Sequence, residues 1–402
     1  MLHPLLNSRC NFGIIVYNAK SVSVAKSITI NRIFSDNHNW DVFSYKHASE
    51  LRSVEIFEVE KMLGCQSLDS GYFVFVCPDC KVEKVVHLGC GGRVCTHCGK
   101  HFTDKWAGQV AENLFNVVHR HCVFSIPDAL WGLFREKREL LKELMNCCIV
   151  ATARTMGKKL GRNVKPGIVA VLHTFGKDMK FYPHVHCLVT EGGAKINGVW
   201  VDVTYFPYEL LRKFWQYAVL KMLRKKLPKT KENRKWIEFL FKKYGNGFYV
   251  YAKDKIKSKK EMVRYIGRYI RHPAIAESRI DSYDGEKVVF HFVNNDGVKK
   301  WVAMSVEEFI AAVIGHIPDK HFKVIRYYGV YARQDRKKYK KLVDWSNDYG
   351  TIMQMDLTQF LHKLTPTCDM CGNLMEFAWY EPRKPPDEKD FGSRITDWAY
   401  FR

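Results

Sequence analysis

The spacing of apolar residues predicts helices in the first part of the chain. In ELRSVEIFEVEKMLG, residues 50–64, apolar residues recur at helical intervals, and Gly64 provides a stop. A second helix is predicted from Thr103, because apolar residues again recur every three to four positions. A long helix-rich stretch is predicted over residues 132–160.

From about residue 166 the pattern changes to apolar runs of strand length. IVAVLHTF (168–175) and the segment that begins FYPHVHC (181–187) predict two strands separated by the polar loop GKDMK. KVVFHFV and KKWVAM predict a hairpin around the turn NNDG, and helices are predicted over 206–227 and 258–273. Strands and helices that alternate in this irregular way predict an α+β fold.

The composition adds a preference for an anionic partner. Sixty-four Lys and Arg residues against 42 Asp and Glu residues give a formal charge of +22, and 14% of the residues are aromatic. Basic residues interleaved with aromatic ones favour nucleic acid over an acidic membrane or a solvated surface. No uncharged apolar stretch approaches the roughly 18 to 20 residues of a membrane span, and the N-terminus lacks the features of a secretory signal. We therefore expect a cytoplasmic protein that binds nucleic acid and no membrane.

The thirteen cysteines predict a structural zinc site. In a chain without a secretory signal they favour reduced thiols and metal ligands over disulfides. CPDC and CTHC are separated by fourteen residues, a spacing that lets two short knuckles close one tetrahedron. A redox or incidental thiol cluster is the alternative, and Cys90 and His87 are surplus to a four-ligand site. The predicted zinc ligands are Cys77, Cys80, Cys95 and Cys98.

A further Cys-x-x-Cys pair lies near the C-terminus, in CDMC. Cys368 and Cys371 make half of a candidate second zinc site. Cys147, Cys148 or His362 are the residues considered for its other half.

Two histidines two residues apart predict a metal platform. If 181–187 is a strand, His184 and His186 lie on one face, with Val185 and Cys187 on the other. Two imidazoles side by side on an apolar support can hold a metal ion. The alternative is a half-exposed pair on an edge strand, and the similar HRHCVF (119–124) is interpreted as surface.

The predicted helix 258–273 carries a second candidate chemistry. At about 100° per residue, Tyr265 and Tyr269 lie one turn apart on the border between an apolar and a basic stripe. A phenol with an ordinary pKa of about 10 becomes a useful nucleophile beside a metal-polarised phosphodiester. Ordinary amphipathic packing of the tyrosines is the alternative. The basic stripe, a candidate DNA-binding surface, consists of Arg264, Arg268 and Arg271.

Four separated motifs together resemble a known family. His184-Val185-His186 matches the His-hydrophobic-His motif of HUH endonucleases. The tyrosine pair in RYIGRYIRHPAIAESRI, the FVCPDC…CTHCGK segment and HFKVIRYYGVYAR (321–333) are similar to the two-tyrosine transposases of rolling-circle insertion sequences. The resemblance runs from about residue 35 to 375.

The resemblance implies a fold and an activity. It implies an HUH core with an antiparallel sheet flanked by helices, preceded by a zinc-ribbon-like domain and a helical region. It implies that one tyrosine cleaves single-stranded DNA at the ends of a mobile element, leaving a 5′-phosphotyrosine, with Mg²⁺ or Mn²⁺ as the catalytic ion and Zn²⁺ as the structural one. The predicted segments are an N-terminal extension that is poorly ordered (1–35), a zinc-binding and DNA-binding domain (36–110), a helical connector (111–165), an HUH-type nuclease domain (166–345) and a C-terminal tail with a Cys-x-x-Cys knuckle (346–402).

The third ligand of the catalytic metal is left open by the sequence. Asp178, in the loop before the histidine strand, offers the oxygen that a hard cation prefers and is the first choice. His173, on the preceding strand, is the second. Glu261 is explained by the helix cap, and Glu191 is expected at an open rim.

Two rival functions fit the same residues. A plasmid rolling-circle replication initiator would use the same chemistry, although a zinc segment preceding the nuclease favours the transposase. In a non-enzymatic zinc-ribbon DNA-binding regulator, the histidines and tyrosines would be packing residues. No glycine-rich phosphate loop with Lys-Ser/Thr is present, so an ATP motor is not expected and a host helicase is a candidate partner. The oligomeric state stays open.

Overall fold

A computed structural model describes the chain at residues 28–99, 114–115, 117–160, 164–195, 197–203, 207–252, 255–256, 261, 274–340 and 365–382. In these ranges the α-helices are α1 (Ile30–Ser35), α2 (Asn39–Lys46), α3 (Ser53–Leu63), α4 (Trp131–Glu136), α5 (Glu139–Leu160), α6 (Tyr208–Lys226), α7 (Lys231–Lys243), α8 (Val306–Ile314) and α9 (Arg333–Lys340). The strands are β1 (Tyr72–Val76), β2 (Glu83–His87), β3 (His119–Ser125), β4 (Lys165–Phe175), β5 (Phe181–Ala194), β6 (Trp200–Asp202), β7 (Val250–Tyr251), β8 (Lys255–Ile256), β9 (Ile280–Tyr283), β10 (Lys287–Val293), β11 (Lys299–Ser305), β12 (Ile325–Gly329) and β13 (Glu376–Glu381).

The largest sheet is antiparallel and has the histidine strand in its middle. Its order is β12-β4-β5-β3-β7, with β6 added to β5 and β8 added to β3. β5 is therefore paired on both sides, which removes the edge-strand alternative for its histidines. The predicted α+β organisation with an antiparallel sheet and helices is confirmed.

The two faces of this sheet have different partners. One face packs against α5 and α6 in the largest core cluster, with residues such as Val185, Cys187 and Trp215 fully buried. On the other face Val169, Val171 and Leu188 belong to a separate cluster with Ile256 and Tyr331. Strand alternation puts His184 and His186 on this second face.

A second packed unit combines the N-terminal region with residues of the predicted nuclease domain. Helices α1–α3 and the cysteines around 90–98 share one apolar cluster with β9–β11 and α8. Residues 274–317 thus pack on the N-terminal region, although the sequence assigns them to the nuclease domain. Ile30, Ile33 and Phe34 of α1 are buried in the same cluster, so the N-terminal extension predicted over 1–35 is corrected for residues 28–35, which are folded.

A third, small sheet brings together distant parts of the chain. Its order is β13-β1-β2, with both pairings antiparallel. Residues Glu376–Glu381 of the predicted C-terminal tail therefore form a strand beside the first cysteine pair.

Several predicted elements are confirmed by the structure. α3, α5, α6 and the β10–β11 hairpin occupy the predicted positions. The predicted helix from Thr103 lies mostly outside the described residues. In the predicted helix 258–273, the structure describes only Glu261.

Candidate active site

Three histidines converge on the face of the sheet that lies opposite α5 and α6. The register of β4 and β5 places His173 directly across from His184. The ligand nitrogens of His173, His184 and His186 all lie within 4.8 Å of one another. His184 and His186 are only 7% and 8% exposed, so the group lies in the fold rather than on its surface.

The imidazoles of the pair are oriented for a metal ion. Nδ1 of His184 lies 2.8 Å from the carbonyl oxygen of Tyr182. Because a carbonyl only accepts, this nitrogen carries the proton and Nε2 keeps its lone pair. Burial lowers the pKa of His184 to about 4, so the ring is neutral near pH 7. Burial, followed by the neighbouring imidazoles, lowers the pKa of His186 well below its ordinary value.

The spacing of the nitrogens fits an octahedral divalent cation. Nε2 of His184 and Nε2 of His186 are 3.0 Å apart. Two adjacent ligands of an octahedral ion, each about 2.1 Å from it, are about 3.0 Å apart. The donor set has the chemistry and the spacing of a metal site with positions left for a substrate.

A fourth histidine, His121, supports the pair from β3. Its Nε2 lies 3.4 Å from Nδ1 of His186, and the two rings are stacked with centroids 5.6 Å apart. The interpretation of HRHCVF as surface is wrong, because His119 and His121 are buried and His119 Nε2 lies 2.6 Å from the hydroxyl of Tyr331. Histidines alternate with other residues in β3 as they do in β5, and this pattern could have predicted that the β3 histidines are buried too.

Asp178 is not brought to the histidine group. It lies in the turn between β4 and β5, where its carboxylate accepts a hydrogen bond from the backbone N–H of Lys180 and pairs with that residue's ammonium group at 3.5 Å. The third member of the group is His173, the second choice from the sequence. A turn contact therefore explains Asp178 without a metal.

Glu191 is not at an open rim but in a buried ion pair. It is 5% exposed and accepts a hydrogen bond from Nε of Arg120 at 2.6 Å. Lys255 of β8 lies 3.2 Å from its second oxygen. The Arg120 guanidinium also donates to the carbonyl of Ala252 at 2.6 Å. These contacts tie β3, β5 and the chain around β8 together.

Arg120→Ala is expected to destabilise the large sheet by about 3 to 5 kcal/mol, because it leaves the Glu191 carboxylate buried without its main partner. Lys255→Ala is the matched control. The Lys255 side chain is 45% exposed, and its replacement should cost less than about 1 kcal/mol. Urea unfolding followed by circular dichroism measures both. Equal, small losses for the two variants would contradict this role for Arg120.

The predicted nucleophiles and the basic stripe lie outside the described residues: Tyr265, Tyr269, Arg264, Arg268 and Arg271. The structure does describe the chain on either side of them. Ile256 packs with Val171 and Leu188 in the cluster on the histidine face. Ala274 and His173 line a common cavity of about 300 Å³. Ile256 therefore lies on the histidine face of the sheet, and Ala274 lies at the cavity beside His173.

Three basic residues are part of the lining of the cavity beside His173. Arg93 comes from the N-terminal unit, Arg138 from the turn before α5, and Lys323 from the segment before β12. Asp319 lines it as well and pairs with Arg138 at 3.5 Å. Two of the packed units therefore meet next to the histidine group.

Eight of the described cysteines form two groups of four, which divides the predicted CPDC and CTHC site and completes the candidate second one. The four predicted ligands are divided, because Cys95 and Cys98 lie with Cys65 and Cys90, whereas Cys77 and Cys80 lie elsewhere. In each group the four sulfurs lie within 4.8 Å of one another. The two groups are Cys65, Cys90, Cys95 and Cys98, and Cys77, Cys80, Cys368 and Cys371.

The first cysteine group has the hydrogen bonds expected around thiolates. Sulfur–sulfur distances of 3.5 to 3.7 Å join its members. The backbone N–H groups of Gly91 and Gly92 donate to Cys98 and Cys90 at 3.3 and 3.2 Å. Cys90, which the sequence treats as surplus, is a full member, and Cys65 directly follows the stop of α3. The position of Cys65 just after a predicted helix was the sequence feature that could have identified it as a member of this group.

The residues considered as partners for the C-terminal pair are not found with it. Cys147 and Cys148 are buried in the core between α5 and the large sheet. His362 lies outside the described residues.

In the described ranges, no helix is both long enough and apolar enough to cross a membrane.

The chain is similar to known transposases over most of its length. A family model described as a transposase zinc-binding domain matches residues 36–126, and one described as a putative transposase matches residues 167–338. The transposase for insertion sequence element IS801 of Pseudomonas savastanoi pv. phaseolicola is 30% identical over 322 residues, which cover 76% of each chain. The putative transposase y4qJ of Sinorhizobium fredii is 24% identical over 294 residues, or 68% of this chain and 73% of the relative. No solved structure gives a significant match.

Proposed function

Because the chain belongs to the IS91 family of transposases with an N-terminal zinc-binding domain, we propose that it nicks and rejoins single-stranded DNA at the ends of an insertion sequence. In this proposal the fold is an HUH-type nuclease core. The nucleophile is a tyrosine of the segment 258–273, and the transposition is of the rolling-circle type.

The observation that carries the proposal is the group of three imidazoles on β4 and β5. His173, His184 and His186 offer imidazole nitrogens at ligand spacing. Mg²⁺ or Mn²⁺ bound there would draw charge from the phosphoryl oxygens and stabilise the leaving sugar oxygen. His121 and the Tyr182 carbonyl orient the pair, as neighbours of metal ligands commonly do.

The described neighbours of the tyrosine segment support its role. Ile256 and Ala274, on either side of it, both lie at the histidine face or in the cavity beside His173. A helix between these two points would bring Tyr265 and Tyr269 near the same phosphate. Arg264, Arg268 and Arg271 would bind the neighbouring phosphates.

The reaction conserves the energy of the broken bond. The phenol oxygen bonds to phosphorus while the bond from phosphorus to the 3′ oxygen breaks. The phenol proton passes to solvent, and the 3′ oxygen takes up a proton. The products are a 5′-phosphotyrosine and a free 3′-hydroxyl. Rejoining is the same exchange in reverse, so it needs no ATP, and the second tyrosine can take part in the exchange with the other strand.

The zinc-binding region has a separate role in the proposal. Four thiolates leave no open position on Zn²⁺, so the Cys65, Cys90, Cys95 and Cys98 group would hold its segment folded and present basic residues to DNA. The net charge of +22 would supply much of the affinity. We place the protein in the cytoplasm, where DNA is accessible, with a host helicase as a candidate partner.

Family membership also favours one of the rival functions. A replication initiator would share the chemistry, but the zinc-binding and transposase matches and the IS801 relative favour transposition. A regulator without catalysis would not need three converging imidazoles.

An end-labelled oligonucleotide tests the proposal. Single-stranded DNA from an element end, incubated with protein and Mn²⁺, should give a denaturation-resistant protein adduct when the label is on the 3′ end. The same DNA labelled on the 5′ end should give only a shorter free fragment, because the protein remains on the 5′ phosphate. Binding without either product would support the regulator instead.

His173→Ala is expected to weaken Mn²⁺ binding and to lower cleavage at least about a hundredfold, because it removes one of three metal ligands. Asp178→Ala is the matched control from the same part of the chain and should leave both nearly unchanged. Electron paramagnetic resonance of free Mn²⁺ gives the affinity without relying on activity. The reverse ranking of the two variants would return Asp178 to the ligand set.

A further inference from the structure

We propose that Cys77, Cys80, Cys368 and Cys371 bind a second structural Zn²⁺, which clasps the C-terminal segment to the N-terminal zinc-binding region. This group is called the clasp below. The inference does not depend on the cleavage reaction. The zinc-binding family match ends at residue 126, so it does not include the C-terminal half of the clasp.

The sulfur positions in the clasp fit a tetrahedral ion. All four lie within 4.8 Å of one another, and those of Cys77 and Cys371, 294 positions apart in the sequence, are separated by 3.6 Å. Metal–sulfur bonds of about 2.3 Å place the sulfurs of a tetrahedral ion about 3.8 Å apart. A disulfide would need about 2.05 Å, and these cysteines are free.

The two halves of the clasp are the same kind of turn. In each, the residue after the second cysteine donates its backbone N–H to the carbonyl of the first, from Lys81 to Cys77 at 3.0 Å and from Gly372 to Cys368 at 2.8 Å. That same residue has a positive φ, 57° for Lys81 and 78° for Gly372. The pair 95–98 also has this N–H to carbonyl bond, from Gly99 to Cys95 at 2.9 Å, but its residues 96–99 form a helical turn.

Further hydrogen bonds in the two turns are also equivalent. The N–H of the first cysteine donates to the residue five positions on, from Cys77 to Val82 at 3.0 Å and from Cys368 to Asn373 at 2.8 Å. In both turns a backbone N–H also donates to the sulfur of the first cysteine at 3.4 Å, although the donor is Cys80, three positions on, in one and Met370, two positions on, in the other. Two matched knuckles that face each other are the ligand arrangement of a zinc ribbon. In this protein they come from opposite ends of the chain.

The remaining contacts of the C-terminal segment lead to the same place. β13 pairs with β1, and Lys84 bonds to Asp369 at 2.7 Å and to the carbonyl of Thr367 at 3.1 Å. β13 itself is exposed along most of its length. Aromatic contacts such as Phe73–Tyr380 join β13 to β1, but little of β13 is buried. A metal clasp would add a constraint at the end of this sheet where the two turns meet.

Zinc content per chain tests the clasp in the full-length protein. We expect two Zn²⁺ in the unmodified protein, and one in either C77S/C80S or C368S/C371S. The quadruple variant should also keep one, because both pairs serve the same ion. Lys84→Ala is the control, since it removes only the contacts to Asp369 and Thr367 and should retain two. Two ions in C368S/C371S, or none in the quadruple variant, would overturn the clasp.

Hydrogen exchange gives a second measurement that does not rely on counting metal. C77S/C80S leaves the C-terminal segment unchanged, yet amides of Glu376–Glu381 should exchange at least about tenfold faster once the clasp opens. Chelation should have the same effect before it disturbs the first cysteine group, because Cys371 is exposed whereas Cys90, Cys95 and Cys98 are buried. Unchanged protection of β13 in C77S/C80S would contradict the inference.

Discussion

Replacing His184 and His186 together with alanine is expected to reduce cleavage of single-stranded DNA about a thousandfold or more. A metal ion held by the histidines would contribute several kcal/mol to the stabilisation of the transition state, and every 1.4 kcal/mol corresponds to a factor of ten in rate. The variant should still bind DNA, because affinity comes mainly from Lys and Arg contacts with phosphates. Gel-based cleavage and fluorescence anisotropy at fixed salt measure the two effects separately.

The control for this variant is His38→Ala. His38 is also a histidine, but its side chain is 85% exposed and pairs only with Asp41 at 3.0 Å among the described contacts. It should cleave at the normal rate. A His184/His186 double variant that is folded, binds DNA and still cleaves would remove the histidine group from the mechanism.

Replacing both Tyr265 and Tyr269 with phenylalanine is expected to abolish the covalent adduct. Phenylalanine keeps the apolar ring and removes the oxygen that would bond to phosphorus, so folding and Mn²⁺ binding should be preserved. The 3′-labelled oligonucleotide measures the adduct directly. The single variants should show which tyrosine makes the first attack, as the one whose loss alone prevents nicking.

Tyr327 and Tyr328 provide the comparison. Tyr328 donates its hydroxyl proton to Asn146 at 2.9 Å, and burial raises the pKa of its phenol, so it is a poor nucleophile. Tyr327 lies opposite Val169, on the histidine side of β12. Tyr327→Phe should retain the adduct. An adduct that survives in the Tyr265/Tyr269 double variant and disappears on Tyr327→Phe would identify a different nucleophile.

The local part of the active site could be predicted from the sequence. The alternation of histidine and apolar residues in FYPHVHC places His184 and His186 on one face and gives the strand its buried back. Both features depend only on the period of a strand. The same reasoning applied to HRHCVF would have found His121, but arginine between the histidines suggested solvent. That arginine, Arg120, instead pairs with buried Glu191.

The third histidine depends on register, which the sequence does not determine by itself. A five-residue connection joins β4 and β5, and Phe175 pairs with Phe181. A register shift between Phe175 and His173 then puts His173 opposite His184 rather than Pro183. Asp178 lies in that connection. Because a hard cation prefers oxygen ligands, Asp178 was the favoured third ligand. In the structure the turn directs its carboxylate to Lys180 instead. The register of β4 and β5, rather than the preference of a hard cation for oxygen, therefore determines which residue lies with His184 and His186.

The division of the cysteines into two groups was not predicted, because the cysteines that lie together are distant in the sequence. A spacing of fourteen residues between CPDC and CTHC is compatible with one shared ion, and nothing local excludes it. The actual partner of CPDC follows the large sheet and α9 in the chain. The packing of residues 274–317 on the N-terminal unit has the same origin, since apolar periodicity predicts an element but not which other element covers it.

Anomalous scattering from crystals soaked in Mn²⁺ tests the central claim most directly. We expect a peak of anomalous density in contact with the imidazole nitrogens of His173, His184 and His186, and a tyrosine hydroxyl of the segment 258–273 facing the open side of the ion. A peak that is held by Asp178 away from these histidines, or no peak in crystals of protein that cleaves DNA with Mn²⁺, would contradict it.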